Sequence, residues 1–257
     1  MPIAVEIILI IIIGSSFGSF FNVCIYRLPQ KKSIVYPSSY CPNCSQPIPK
    51  WLNMPIIGFF LTKGRCRECK TKIHWHYPVV EFISALLFLL LFFRFGSYFS
   101  FIYFKYALLI GFLIIIFFID LYHKIIPDTL SLPLIIIGLI TIWLPYNDVS
   151  VKSALTGAAF GFLLFFIIPY VFWKLTGKVG IGGGDIKLIL GVGLFIGFIG
   201  VIFSILVSSI IALITLPLIR FDLKKEFPFG TFITIGVLLY LFIGKQIIDW
   251  YLDLILL

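Results

Sequence analysis

Long runs of Ile, Leu, Val and Phe with no polar interruption dominate this chain, and the lengths of those runs define its elements. A bilayer core about 30 Å thick takes roughly 20 helical residues. That yardstick predicts spans near 4–24, 78–97, 101–120, 129–145, 153–174, 185–199, 201–219 and 231–250, with the boundary between the sixth and seventh marked only by Gly197 and Gly200. The runs are too long and too uniformly apolar for the alternating strands of a membrane barrel, and backbone groups in lipid must pair within their own segment. The expectation is an all-α polytopic membrane protein of about eight transmembrane helices. Its predicted parts are a first transmembrane helix over 1–24, a loop domain over 25–77 and a seven-helix core over 78–257. Residues 3–24 carry Glu6 where a signal peptide would be basic and show no small-residue cleavage site, so they read as a retained span.

Composition agrees: among 257 residues, 61% are hydrophobic and 12% charged, with a mean hydropathy of +1.12, which excludes a water-soluble globule. The net charge of +9 is concentrated in residues 25–77, where nine Lys or Arg face one acid, Glu68. If that loop is cytoplasmic, so are 121–128, 175–184 and 220–230, and both termini point outward. Sixteen Lys or Arg then lie on the inner side against four outside (Arg94, Lys105, Lys152, Lys245), the asymmetry expected of the positive-inside rule. Gly14 and Gly18, Gly157 and Gly161, and Gly193 and Gly197 are each four apart, spacing that allows close helix contact in a bilayer.

Four of the five cysteines form two CxxC knuckles, Cys41 with Cys44 and Cys66 with Cys69. This set suits a structural tetrahedral zinc with no open position. Disulfides are the alternative, opposed by a reducing cytoplasm. Cys24, alone in the first span, reads as a small buried hydrophobe. The basic loop has aromatics but no stacking pattern, so nucleic acid is not an expected partner.

Acids inside apolar helices are candidates for function. Glu81 falls in the first turn of the second span, where a carboxylate suits the helix dipole, and Asp128 reads as the N-cap of the fourth. Asp222 and Glu226 belong to a solvated loop. Asp120 differs: it ends an apolar run at a helix C-terminus, where its charge opposes the dipole without evident compensation. Asp185 follows Gly182, Gly183 and Gly184 and precedes Lys187; it reads either as an N-cap or as a functional acid. The glycines do not match a dinucleotide fingerprint but let backbone approach a peptide closely. By the topology Asp120 and Asp185 share the cytoplasmic side. A neighbouring pair would hold one proton, which suits either peptide hydrolysis or ion translocation. Neither HExxH nor GxSxG is present. A transporter whose aspartates carry ions and a zinc-loop scaffold remain the rival classes.

Several ordered stretches together resemble one family. Gly18 to Pro29 (GSFFNVCIYRLP), the paired knuckles, Asn53 with Pro55, Tyr77 to Glu81, Asp120 followed by Ile126, Pro127 and Asp128, the GGGDIK run, and Phe227 to Gly230 are similar to motifs of bacterial type IV prepilin peptidases. The resemblance implies a membrane aspartyl peptidase of the bacterial inner membrane that cuts the short basic leader from prepilins or pseudopilins at the cytoplasmic face. It carries the catalytic pair onto Asp120 and Asp185. Gly182, Gly183, Gly184, Lys187 and Asp128 become candidate substrate or active-site positions, with Asp222 and Glu226 as further acidic contacts for the leader. Family members with the zinc loop also methylate the new N-terminus, which implies S-adenosylmethionine. His76 and the stretch Gly58, Phe59, Phe60 depart from the family pattern, and both lie in or beside the loop. Membrane lipids are the other expected partner.

Overall fold

The computed structural model describes residues 3–96, 100–177, 182–218 and 227–256, and Asp222 and Glu226 lie outside them. Every regular element among these residues is helical, with two isolated β-bridges besides. Six helices are long and apolar enough to cross a membrane: α1 (Ile3–Arg27), α3 (His76–Phe95), α4 (Phe101–His123), α6 (Val151–Thr176), α7 (Gly183–Leu218) and a final span over Phe229–Ile255. Within that last span α8 (Phe229–Leu239) passes through a π-helical turn, Tyr240–Gly244, into α9 (Lys245–Leu256). A shorter apolar helix, α5 (Asp128–Thr141), and a five-residue helix, α2 (Ile57–Leu61), complete the set.

The helix count is therefore slightly below the eight expected, for two reasons. At 14 residues, or about 21 Å, α5 is short of a full crossing. The expected sixth and seventh spans run together as α7, two helices that meet at Gly197, where the sequence placed their boundary. That element is not straight: Gly197 has φ 72° and ψ −175°, a conformation essentially reserved for glycine. Ile189 and Val201 both lie within 3.3 Å of the point where a Cβ on Gly161 would stand, although a straight helix would separate them by about 18 Å. The chain bends sharply at Gly197, so both halves pack on α6. Phe198, whose N–H the bend frees, donates to Ser153 Oγ at 3.2 Å.

The chain divides into two compact units, Met1–Ser97 and Tyr98–Leu257. In the first, α1 and α3 pack along a seam where Gly14 meets the Ala85 backbone and Gly18 meets the Glu81 backbone. Small residues give close approach, which matters because lipid offers no hydrophobic drive between helices. Asn22 and Arg27 bind the loop ends: Asn22 Nδ2 donates to the Tyr77 carbonyl, and buried Arg27 donates to the Ser33 and Ser38 carbonyls. Cys24 is buried as a small hydrophobe. Glu81 does not occupy the first turn of α3, because that helix begins at His76; its carboxylate instead accepts from the Ile56 N–H at 2.7 Å.

In the second unit α7 is central, packed by α5, α6 and α8. Gly157 faces the Gly197 backbone and Gly193 faces Ala158, so these two glycine pairs likewise mark helix contacts. Lys105, counted on the outer side from sequence, is fully buried near the start of α4. Its ammonium donates to Asn147 Oδ1 at 2.7 Å and Asp148 Oδ1 at 2.8 Å, while Tyr106 donates to Asp148 Oδ2 at 2.6 Å.

Candidate active site and metal cluster

Asp120 sits in the last turn of α4, which ends at Lys124 in a left-handed cap. Its position at that C-terminus is locally unfavourable, and the compensation comes from 111 residues away. Asp120 Oδ2 accepts the Thr231 backbone N–H at 2.6 Å and the Thr231 hydroxyl at 3.0 Å. Thr231 lies in the first turn of α8, so the carboxylate meets free N–H groups and the positive end of another helix dipole.

Asp185 is the third residue of α7 and is buried. Its backbone N–H donates to the Gly182 carbonyl, and its Oδ1 has no hydrogen-bond partner. The N-cap reading fails here because the helix starts two residues earlier, at Gly183. Gly230 joins the two acids. A Cβ placed on it would lie 3.0 Å from Asp120 Oδ2 and 3.1 Å from Asp185 Oδ1, so the two oxygens are at most about 6 Å apart. Any side chain at 230 would fill the space between them.

Of the glycines before Asp185, Gly184 packs against the Ile126 backbone, and Gly183 has open space where a side chain would stand. Asp128 is not an N-cap: Pro127 holds that position, and Asp128, one residue into α5, reaches Lys187 Nζ at 2.6 Å. Both partners of that pair are substantially exposed, at 59% and 41% of their side-chain surfaces. Sequence reasoning missed Thr231, whose only local signal was its place directly after the Phe227 to Gly230 turn.

The four cysteines of the loop converge, all four Sγ atoms lying within 4.8 Å of one another. Cys41 and Cys69 sulfurs are 3.8 Å apart and those of Cys44 and Cys66 are 3.9 Å apart. Metal–sulfur bonds of about 2.3 Å in a tetrahedron require sulfur separations of about 3.8 Å, so the set fits zinc. Each knuckle is built the same way. Ser45 and Lys70, the residues after the second cysteine of each pair, take positive φ, and their N–H groups donate to the Cys41 and Cys66 carbonyls. The Thr71 and Asn43 side chains hold the Cys69 thiol down at about 5. A backbone bond to Gln46 favours the Cys44 thiolate, but burial and the neighbouring sulfurs outweigh it and push that thiol up to about 11.

The fold and sites together define a helical membrane protein with two buried carboxylates across a glycine and a separate four-thiol cluster. Residues 12–95 match the family model described as the bacterial peptidase A24 N-terminal domain, and residues 107–216 match the type IV leader peptidase family. The chain is 34% identical to the prepilin leader peptidase/N-methyltransferase of Neisseria gonorrhoeae over 88% of its own length and 86% of that protein. It is 32% identical to the proteins of the same name from Legionella pneumophila, covering 91% and 90%, and Pseudomonas aeruginosa, covering 95% and 92%. No solved structure matches. The chain belongs to the type IV leader peptidase family.

Proposed function

We propose that this protein is an aspartyl endopeptidase of the bacterial inner membrane that removes the short basic leader from prepilins or pseudopilins at the cytoplasmic face. The observation that carries the reading is the placement of Asp120 Oδ2 and Asp185 Oδ1 about 3 Å from one point beside Gly230. The names of the relatives support the substrate class. The asymmetry of basic residues supports a cytoplasmic site.

The surroundings of the two acids differ, and the difference supports separate roles for them. Asp120 accepts two bonds on one oxygen, the environment of a carboxylate. Asp185 Oδ1 is buried outside hydrogen-bond geometry, with only weaker support from the Gly182 and Gly230 backbone, so of the two it is the one better suited to carry the shared proton. Asp120 takes a proton from water as the water oxygen bonds to the scissile carbonyl carbon, and Asp185 gives its proton to the carbonyl oxygen. Cleavage of the C–N bond follows: Asp120 returns its proton to the departing nitrogen, and one hydroxyl of the diol returns a proton to Asp185. Gly230, lacking a side chain, leaves room for the peptide. Gly182 and Gly183 allow its backbone to approach while Gly184 seats the turn on Ile126, and the exposed Asp128 and Lys187 form the rim that meets the basic leader.

The four cysteines Cys41, Cys44, Cys66 and Cys69 hold zinc, which organises the loop and takes no part in bond cleavage. The relatives' names also include N-methyltransferase, so methylation of the new N-terminal amine is a second proposed activity, with S-adenosylmethionine as co-substrate. The test is Asp120→Asn and Asp185→Asn on a purified prepilin, each variant first checked for insertion and monodispersity. Both abolish cleavage; processing by either at the wild-type rate removes the catalytic assignment.

A further inference from the structure

Within the first unit, one group of large apolar side chains is left exposed among the described residues. Trp51, Ile57, Phe60, Leu61 and Trp75 are each more than half exposed, and Met54 lies between them in sequence. They belong to one cluster. Trp75 packs on Phe59 at 4.8 Å and on Phe60 at 6.4 Å, while the helical turn Lys50–Leu52 carrying Trp51 packs on α2, with Gly58 against the Leu52 carbonyl. Soluble surfaces rarely expose so much contiguous aromatic and aliphatic area.

The depth of this cluster is fixed by a hydrogen bond. Ile56, immediately before α2, is held at φ 62°, ψ −54°, a conformation costly for a β-branched residue, and its N–H is aimed at Glu81 Oε2 at 2.7 Å. Glu81 lies five residues into α3, about 7 Å along its axis, and its backbone meets Gly18, nine residues or about 13 Å before the end of α1. The start of α2 is therefore drawn down beside the membrane-spanning part of both helices and does not stand above it. Cations flank it: Lys63 closes the turn after α2, Arg65 follows, and Arg67 stacks over the Trp51 ring at 5.6 Å, all three exposed.

We propose that the surface formed by Trp51, Ile57, Phe60, Leu61 and Trp75 is seated in the interfacial layer of the bilayer this chain spans, on anionic phospholipid. The apolar side chains enter the upper acyl region, the two tryptophans sit at headgroup level, and Lys63, Arg65 and Arg67 meet headgroup phosphates. The loop is then docked on lipid at a fixed depth, independently of the identity of any substrate.

The experiment uses the full chain in vesicles of phosphatidylcholine with or without phosphatidylglycerol, carrying p-benzoyl-phenylalanine in place of Phe60. Irradiation and intact-mass measurement give an adduct of phospholipid mass, with a yield that rises with phosphatidylglycerol. In the Lys63→Gln, Arg65→Gln, Arg67→Gln background that rise falls by about fivefold or more. The same photoreactive residue in place of Leu61 provides a second site should the first variant insert poorly. A cross-link to another part of this chain or to a second copy, or no lipid adduct from either position, overturns the proposal; a yield indifferent to phosphatidylglycerol overturns its electrostatic half.

Discussion

Thr231→Val removes one proton donor from Asp120 and little else. Valine keeps the β-branch, the backbone N–H that donates to Asp120 at 2.6 Å, and the first turn of α8. What is lost is the hydroxyl bond to Oδ2 at 3.0 Å, the shorter of the two contacts that hydroxyl makes, the other being to the Phe117 carbonyl at 3.5 Å. A hydrogen bond to a charged group contributes about 1.5–3 kcal/mol. The remaining amide bond and the helix dipole still support the carboxylate, so the lower end applies. About 1.5 kcal/mol lost from the Asp120 carboxylate moves the pair's shared proton from Asp185 toward Asp120, so the population of the working protonation state falls by up to roughly tenfold. Steady-state cleavage of a detergent-solubilised prepilin reads the effect: kcat falls by up to about tenfold with KM unchanged, because Thr231 supports the acid and not the bound peptide. Thr231→Ser, which restores the hydroxyl but drops the methyl, recovers most of the rate, as a packing role would not. Wild-type kcat in Thr231→Val would refute the division of roles between the acids. Activity in Asp120→Asn would remove the peptidase reading itself, so the two failures are distinguishable.

The other expectations concern metal and fold. Cys41→Ser opens one corner of the thiol cluster; elemental analysis of freshly reduced protein falls from about one zinc per chain toward none, and the loop becomes more sensitive to limited proteolysis. Gly197→Ala places a Cβ 2.5 Å from Ser153 Oγ and forces alanine into a glycine conformation, costing about 1–3 kcal/mol, seen as a lower melting temperature in detergent. Lys105→Met leaves Asp148 with the Tyr106 hydroxyl but no cation; breaking a buried pair costs about 3–5 kcal/mol, reduced here to about 2 kcal/mol because Asp148 keeps 30% of its side-chain surface exposed, again read as lost thermal stability.

The residues that sequence reasoning reached and those it missed differ in how far away their partners lie. Apolar run length is a local property, so the spans were legible, and the boundary between the sixth and seventh falls at Gly197, where one glycine turns the chain without interrupting the apolar run. The knuckles were legible because all four thiols and the turns that present them fall within 29 residues of sequence. Asp120 stood out because its own helix could not explain it, and the explanation, the N-terminus of α8, lies 111 residues on. Thr231 stood out for no local reason, since a threonine in the first turn of an apolar helix breaks no rule. The pairing of Lys105 was out of reach in the same way, since its partners Asn147 and Asp148 are more than forty residues downstream. Glu81 was assigned to the dipole of its own helix, whereas its partner is a strained backbone amide in the loop before that helix. In a bilayer, where polar groups have few alternatives to one another, each of these side chains acquires its role from whichever distant group the fold brings to it. A polar residue in an apolar span is therefore best read as half of a pair. The Asp120 and Thr231 contact, with Asp185 across Gly230, is such a pair, its second half reached only through the fold.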